Sequence, residues 1–193
     1  KAVAPADEQA PLAAAAILDD VIAGSHRTED ERKRDQYRHP KETLLFFGAA
    51  PSMTIVEIWP GGGWYSNIIA PFLARAGGVY YAAGLDPDAS QRSREAVAAF
   101  EARFKGDSAL YGTVNLTILG QEIAPAGSAD MVLTFRNVHN WLANDTASAN
   151  FRAFFDALKP GGVLGVVEHR ADPDASAQNE GSTGYVREAT VMA

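Results

Sequence analysis

The run Thr54-Ile55-Val56-Glu57-Ile58-Trp59-Pro60-Gly61-Gly62-Gly63-Trp64-Tyr65-Ser66 carries an apolar strand into a carboxylate, three consecutive glycines and a helix-like segment. Glycine has no Cβ, so its backbone can touch a ligand and adopt dihedrals closed to other residues. The helix that follows offers unpaired N–H groups at its start. This is the pattern by which a nucleotide-type cofactor is met at the end of a first parallel strand.

Working outward, the period of the apolar residues repeats the strand–helix alternation. Residues 53–59 read as a buried strand and 64–75 as a helix that Pro71 kinks or splits. Residues 79–83 read as a second strand. Residues 88–104 read as an amphipathic helix with Ala96, Val97, Phe100 and Phe104 on one face. Strands follow at 114–119 and 131–135. A helix over 146–158 is stopped by Lys159-Pro160-Gly161-Gly162, and a fifth strand runs over 163–167. Short apolar strands alternating with helices predict an α/β fold with a doubly wound, mostly parallel sheet.

Upstream, residues 1–11 form an Ala/Pro-rich arm and 12–23 a first helix. A charged run over 28–37 precedes a helix over 41–47, which Gly48 ends. The chain divides into an N-terminal arm with capping helices, 1–47, and a Rossmann-like cofactor-binding domain, 48–193, within one compact unit. Residues 184–193 begin a helix with nothing after it, so the sheet is either a compact version or lacks its last strands. The chain starts at Lys1, which points to a cleaved leader or a trimmed N-terminus.

With 193 residues, 47% of them hydrophobic and 21% charged, the chain can bury a sizeable core. A net charge of −7 speaks against a nucleic-acid partner. The absence of cysteine excludes disulfides, thiolate metal sites and a cysteine nucleophile. No stretch approaches a membrane span, and no tight His/Asp/Glu spacing points to a metal.

The chemistry-bearing residues cluster at strand ends. A nicotinamide site wants Gly-x-Gly-x-x-Gly/Ala, and Ser66 stands in the third slot. The other ordering, an acid before Gly-x-Gly-x-Gly, fits Glu57, Gly61 and Gly63, with Trp59 standing at the first glycine position and Gly62 between the matched pair. After the second strand, Asp86 or Asp88 can accept two ribose hydroxyls, and one of them caps the next helix. After the third, Gln121 or Glu122 can accept from an adenine amino group. The fourth strand runs into Arg136, Asn137, His139, Asn140 and Trp141, and the fifth into Glu168, His169 and Arg170. Ligands of open α/β sheets sit outside these ends. His139 and His169 are the candidate general bases, because imidazole titrates near neutral pH. Tyr65 and Trp141 are aromatic candidates for the substrate. Arg27, Tyr37, Arg38 and His39 either close the pocket, recognising an acidic substrate, or belong to a packed cap.

Three blocks, Val56 to Tyr65, Ala129-Asp130-Met131-Val132 and Leu158 to Leu164, resemble class I S-adenosylmethionine-dependent methyltransferases. Together with His26-Arg27, Tyr37-Arg38-His39-Pro40 and His139-Asn140-Trp141, the chain looks most like a bacterial family of predicted methyltransferases that often carry export signals. The resemblance implies a Rossmann-like methyltransferase fold, S-adenosylmethionine as cofactor and an unidentified small-molecule acceptor. It places Glu57, Trp59, Gly61, Gly62, Gly63, Asp86, Glu122, Arg136 and Asn137 at the cofactor. His139 and His169 become catalytic, and Tyr65, Trp141, Glu168, Tyr37 and His39 face the substrate. A periplasmic or exported location follows by resemblance, with the cytoplasm open. The alternatives are a non-catalytic binding module on the same fold and a nicotinamide-dependent enzyme.

Overall fold

The computed structural model describes residues 6–176 and 180–193. Four helices come first: α1 (Ala6–Ala23), α2 (Glu29–Lys33), α3 (Asp35–Arg38) and α4 (Pro40–Phe46). Then come β1 (Thr54–Ile58), α5 (Ser66–Ala74), β2 (Val79–Gly84), α6 (Gln91–Phe104), α7 (Ser108–Tyr111) and β3 (Val114–Ile118). The remaining elements are β4 (Ala129–Phe135), α8 (Val138–Ala143), α9 (Ala147–Ala157), β5 (Leu158–Val167) and α10 (Glu188–Met192). Residues 6–11, expected in an arm, are helical; residues 1–5 of that arm lie outside the described residues.

Among the described residues the sheet has five strands in the order β3-β2-β1-β4-β5, and every pairing is parallel. The chain winds outward from β1 in one direction, then returns to start β4 on its other side. The resulting switch point lies between β1 and β4, where open α/β sheets form a crevice. The Lys159–Gly162 stop is a bulge within β5: Ala129 faces Leu158, yet Met131 faces Val163.

Each face of the sheet has its own core. Leu18, Leu44, Ile55, Ile68, Phe72 and Phe104 fill one side, beneath α1, α4, α5 and α6. Val56, Ile58, Val132, Trp141 and Phe154 fill the other, beneath α8 and α9. Alternation along β1 sends Ile55 and Val56 to opposite faces. The N-terminal helices are therefore part of the first core, with α1 packed on α4 and α5. Arg27 is buried with them and forks its guanidinium onto both Asp35 oxygens at 2.6 and 2.8 Å.

Pro71 does not break its helix. α5 runs unbroken from Ser66 to Ala74, with Pro71 buried inside it. A proline cannot donate to the carbonyl four residues earlier, here that of Asn67. The His26 ring supplies the missing donor: its Nε2 lies 3.0 Å from the Asn67 oxygen. His26 thus repairs from a neighbouring segment what Pro71 removes.

His26→Ala should cost about 1–3 kcal/mol, the penalty of a buried acceptor left unpaired. Pro71→Ala in that background restores an N–H four residues on and should recover a large part of the loss. Urea denaturation of the two single variants and the double variant reads this; equal losses with and without Pro71 would refute the pairing.

Candidate functional site

β1 and β4 flank the switch point, and each ends on a left-handed residue that is not glycine. Trp59, after β1, has φ 47°, and Arg136, after β4, has φ 61°. Such a conformation costs an L-residue about 1–2 kcal/mol, so the packing must hold it. Both are held by strand-like bonds: Trp59 N–H donates to Ala83 at 2.8 Å and Arg136 N–H to Val167 at 2.7 Å. Asn137 closes the gap between the two strands. Its Nδ2 donates to the Ile58 carbonyl at 3.0 Å and to Thr134 Oγ1 at 3.1 Å.

Glu57 is buried and accepts two hydroxyls on one oxygen, from Ser66 at 2.8 Å and Tyr80 at 2.6 Å. Burial pushes its carboxyl up to about 7, against the pull of the two hydrogen bonds. The acid thus joins β1, the first residue of α5 and β2, directly beneath the glycine loop. Within that loop Gly63 sits at φ 80°, and a Cβ there would lie 2.3 Å from the Phe104 ring. The third glycine is therefore required by close packing as well as by its dihedral.

Two cavities open from this loop and share a wall made of Trp59, Pro60, Gly61 and Asn137. The first, about 430 Å³, lies over the ends of β1, β2 and β3 and is apolar, with Leu85, Val97, Phe100 and Leu116 in its lining. Gly84, Leu85 and Pro87 line it; Asp86, between them in the chain, is not itself among the lining residues. Asp86 Oδ1 accepts the Asp88 N–H at 2.9 Å. Ser90, not Asp88 or Asp86, caps α6.

The second cavity, about 1080 Å³, is polar and lies beneath the N-terminal helices. His139, His169, Glu57, Gly62, Tyr65 and Arg136 all line it. His139 Nδ1 lies 3.0 Å from Glu168 Oε2, and the His139 N–H donates to the same oxygen at 3.2 Å. Glu168 Oε1 accepts the His169 N–H at 2.8 Å. Glu168, expected to face the substrate, is thus mainly the partner that orients His139. Tyr65 stacks on Phe135, with centroids 3.5 Å apart and planes at 9°.

Three expectations are corrected. Trp141 is fully buried, edge-on to Trp59 and Phe151, and lines neither cavity. Its place after β4 put it on α8, whose inner face is core. His39 is exposed and left-handed at the joint of α3 and α4, away from both cavities. Glu122 is exposed and lines neither cavity, because the chain turns away at Gly120. Tyr37 is 78% exposed, at the rim of a smaller side cavity.

Several residues at the site carry no ligand motif in the sequence. Glu31 in α2 accepts from Arg103 at 2.6 Å, from Asn67 Nδ2 and from its own N-cap Thr28, while its carbonyl accepts the Trp64 indole N–H at 3.0 Å. Arg103 also reaches the Gly62 carbonyl at 2.9 Å. The capping box Thr28-x-x-Glu31 was the available signal. No sequence pattern announces that its acid also bolts α2 to the glycine loop. Among the described residues, no group of three or more acids and histidines is arranged to hold a metal, and no helix is long and apolar enough to cross a membrane.

No family model and no curated protein matches the chain. Solved structures do. A SAM-dependent methyltransferase from Aquifex aeolicus superposes with a TM-score of 0.59 at 16% identity, over 82% of this chain and 78% of that one. Phosphoethanolamine N-methyltransferase 2 of Haemonchus contortus, in complex with phosphomonomethylethanolamine and S-adenosylhomocysteine, gives 0.55 at 17%, over 81% of this chain but 35% of its own. The glycopeptide N-methyltransferase MtfA, complexed with S-adenosyl-L-methionine, gives 0.51 at 20%, over 72% and 56%. The protein has the Rossmann-like fold of the class I methyltransferases.

Glu57 makes stability depend on pH. Its folded pKa of about 7 lies above that of an unfolded glutamate, so the native state holds the extra proton between them. Stability is full at low pH and falls as pH rises through the folded value, by about 3 kcal/mol in total. Urea unfolding at pH 5 and pH 8 should show that loss in the wild type, and Glu57→Gln should lack most of it. Parallel pH profiles of the two proteins would overturn the assignment.

Proposed function

We propose that the protein is an S-adenosylmethionine-dependent methyltransferase acting on a small molecule. The observation that carries this reading is the pair of cavities meeting at the glycine loop, one apolar and one polar. The cofactor is built the same way, with an adenine at one end, a charged amino-acid head at the other and a sulfonium between. The apolar cavity suits the adenine, with Asp86, between the lining residues Leu85 and Pro87 in the chain, for the ribose hydroxyls. The wall of Trp59, Gly61 and Asn137 is where the sulfonium would lie. It carries no phosphate, so the loop needs no lysine, and a buried acid beneath it is no obstacle.

When bound, the cofactor supplies an electrophilic methyl carbon and a sulfur that keeps the electron pair of the broken bond. The protein's task is to align the acceptor in line with that carbon and to take any proton the acceptor must lose. His139 is the better base of the two histidines. Glu168 holds its Nδ1, which leaves Nε2 as the nitrogen available to the polar cavity. Among the described residues His169 has no such partner for its ring; it packs beside Tyr185 at 5.5 Å. The solved neighbours act on a phosphobase and on a glycopeptide, so the fold alone does not choose the acceptor.

Calorimetric titration with S-adenosylhomocysteine and with NAD is the deciding measurement. Micromolar binding of the first alone supports the methyltransferase reading. NAD binding alone would favour a nicotinamide enzyme, and binding of neither to a folded sample a non-catalytic module. With an acceptor in hand, His139→Ala should lower the methylation rate by about 10²–10⁴, and His169→Ala by less.

We also infer, from the resemblance of its motifs to those of a bacterial family of often exported predicted methyltransferases, that the protein works outside the cytoplasm. Fractionation of cells of the natural source tests this. Recovery of the protein in the cytosolic fraction alone rejects it.

A further inference from the structure

Four arginines line the polar cavity and a fifth, Arg27, is buried against Trp64; only two of the five have an acid. Arg27 is forked onto Asp35 and Arg103 is paired with Glu31, each at 2.6 Å. Among the described residues, Arg34, Arg38 and Arg136 form no ion pair, and the buried Nε of Arg136 has no hydrogen-bond partner. The acids nearby are already engaged. Glu31 serves Arg103, Glu57 serves Ser66 and Tyr80, and Glu168 serves His139 and His169.

The three free guanidiniums are gathered rather than scattered. Arg34 and Arg38 lie over the Trp64 ring at 5.7 and 5.0 Å from its centroid, beside Arg27 at 5.2 Å. Cation–π contact holds them there without neutralising them. Burial pulls Arg38 down to about 10, and the charges of Arg136 and Arg34 add to the pull. Holding three like charges together costs energy that an anion would return.

All three line the polar cavity and also extend beyond the glycine loop. Arg34, Arg38 and Arg136 also line a side cavity of about 440 Å³, together with Tyr65, Phe135 and Glu168. None of Trp59, Gly61, Gly62 or Gly63 reaches it. The stacked Tyr65–Phe135 pair gives that cavity a flat apolar wall next to the cationic one.

We propose that Arg34, Arg38 and Arg136 form an oxyanion subsite for the acceptor, which is therefore a small molecule carrying a carboxylate or a phosphate beside an apolar, preferably planar, body. The word acceptor rests on the methyltransferase reading; the anion site does not. Guanidinium forks match both oxyanions in two-point contacts.

The test is titration of the full chain with phenyl phosphate, benzoate and uncharged benzyl alcohol, each with and without excess S-adenosylhomocysteine. At least one anion should bind about tenfold or more tightly than the alcohol, and binding should survive S-adenosylhomocysteine. The tighter anion tells phosphate from carboxylate. Arg34→Gln and Arg38→Gln should each weaken that anion by about tenfold while leaving S-adenosylhomocysteine affinity within about twofold. Equal binding of the alcohol, displacement of the anion by S-adenosylhomocysteine, or folded variants that bind as the wild type would each overturn the proposal. If a variant does not fold, the comparison of anion with alcohol on the wild type still decides. Anion binding without S-adenosylhomocysteine binding would sink the methyltransferase reading and leave the subsite; the reverse would do the opposite.

Discussion

One carboxylate oxygen holds the centre of this molecule. Glu57 Oε2 accepts from Ser66 and Tyr80 together, and so fixes the end of β1, the start of α5 and the start of β2 as one unit. The glycine loop spans the eight residues between Glu57 and Ser66, so its two ends cannot drift apart. The same bonds explain why an acid can be buried here. Each hydroxyl can still donate to a neutral carboxyl's carbonyl oxygen, though less strongly than to a carboxylate, so the group can hold its proton near neutrality without losing either partner. Tyr80 is in turn pushed well above the usual phenol range, by its burial and by Glu57, and remains a donor.

The second layer of restraint comes from the N-terminal helices. Glu31 draws Arg103 from α6 and Asn67 from α5 to α2, and Tyr65 donates to the Arg38 carbonyl at 3.3 Å. These bonds cross from the roof to the loop and close the polar cavity on that side. The roof is not a loose lid, because α1 and α4 contribute Leu18 and Leu44 to the sheet's own core. A packed cap and a pocket wall, set against each other as alternatives in the sequence, are the same structure here.

The strands and their order of winding were legible because a buried parallel strand is an uninterrupted apolar run, and such runs stand out between helices. Glu57 was legible because its place is fixed by the chain: last acid before the glycines. What depended on partners far away was not. Pro71 reads as a kink unless His26, 45 residues upstream, is known to donate to Asn67. Arg34 and Glu31 read as solvated, because the sequence shows the interleaved charges of α2 but not Trp64, Asn67 and Arg103, against which they pack. Glu122 reads as a ligand by its offset from β3, yet a glycine two residues earlier, at φ 99°, turns the chain outward.

The two tryptophans show how one misplaced expectation accounts for another. Trp59 stands where the related pattern has glycine, and a bulky residue there should crowd the cofactor cavity. Its backbone still adopts the left-handed conformation a glycine would take. The cavity nevertheless remains at about 430 Å³, because the indole leans onto the second core, edge-on to Trp141 at 6.0 Å. Trp141 is buried so that Trp59 has a surface to lie against, and an aromatic pair of this geometry is worth about 0.5–1.5 kcal/mol beyond area burial. That gain is comparable to the strain of a left-handed tryptophan. The left-handed Trp59 and the buried Trp141 therefore support each other, and the indole is part of the wall between the two cavities instead of a plug in either.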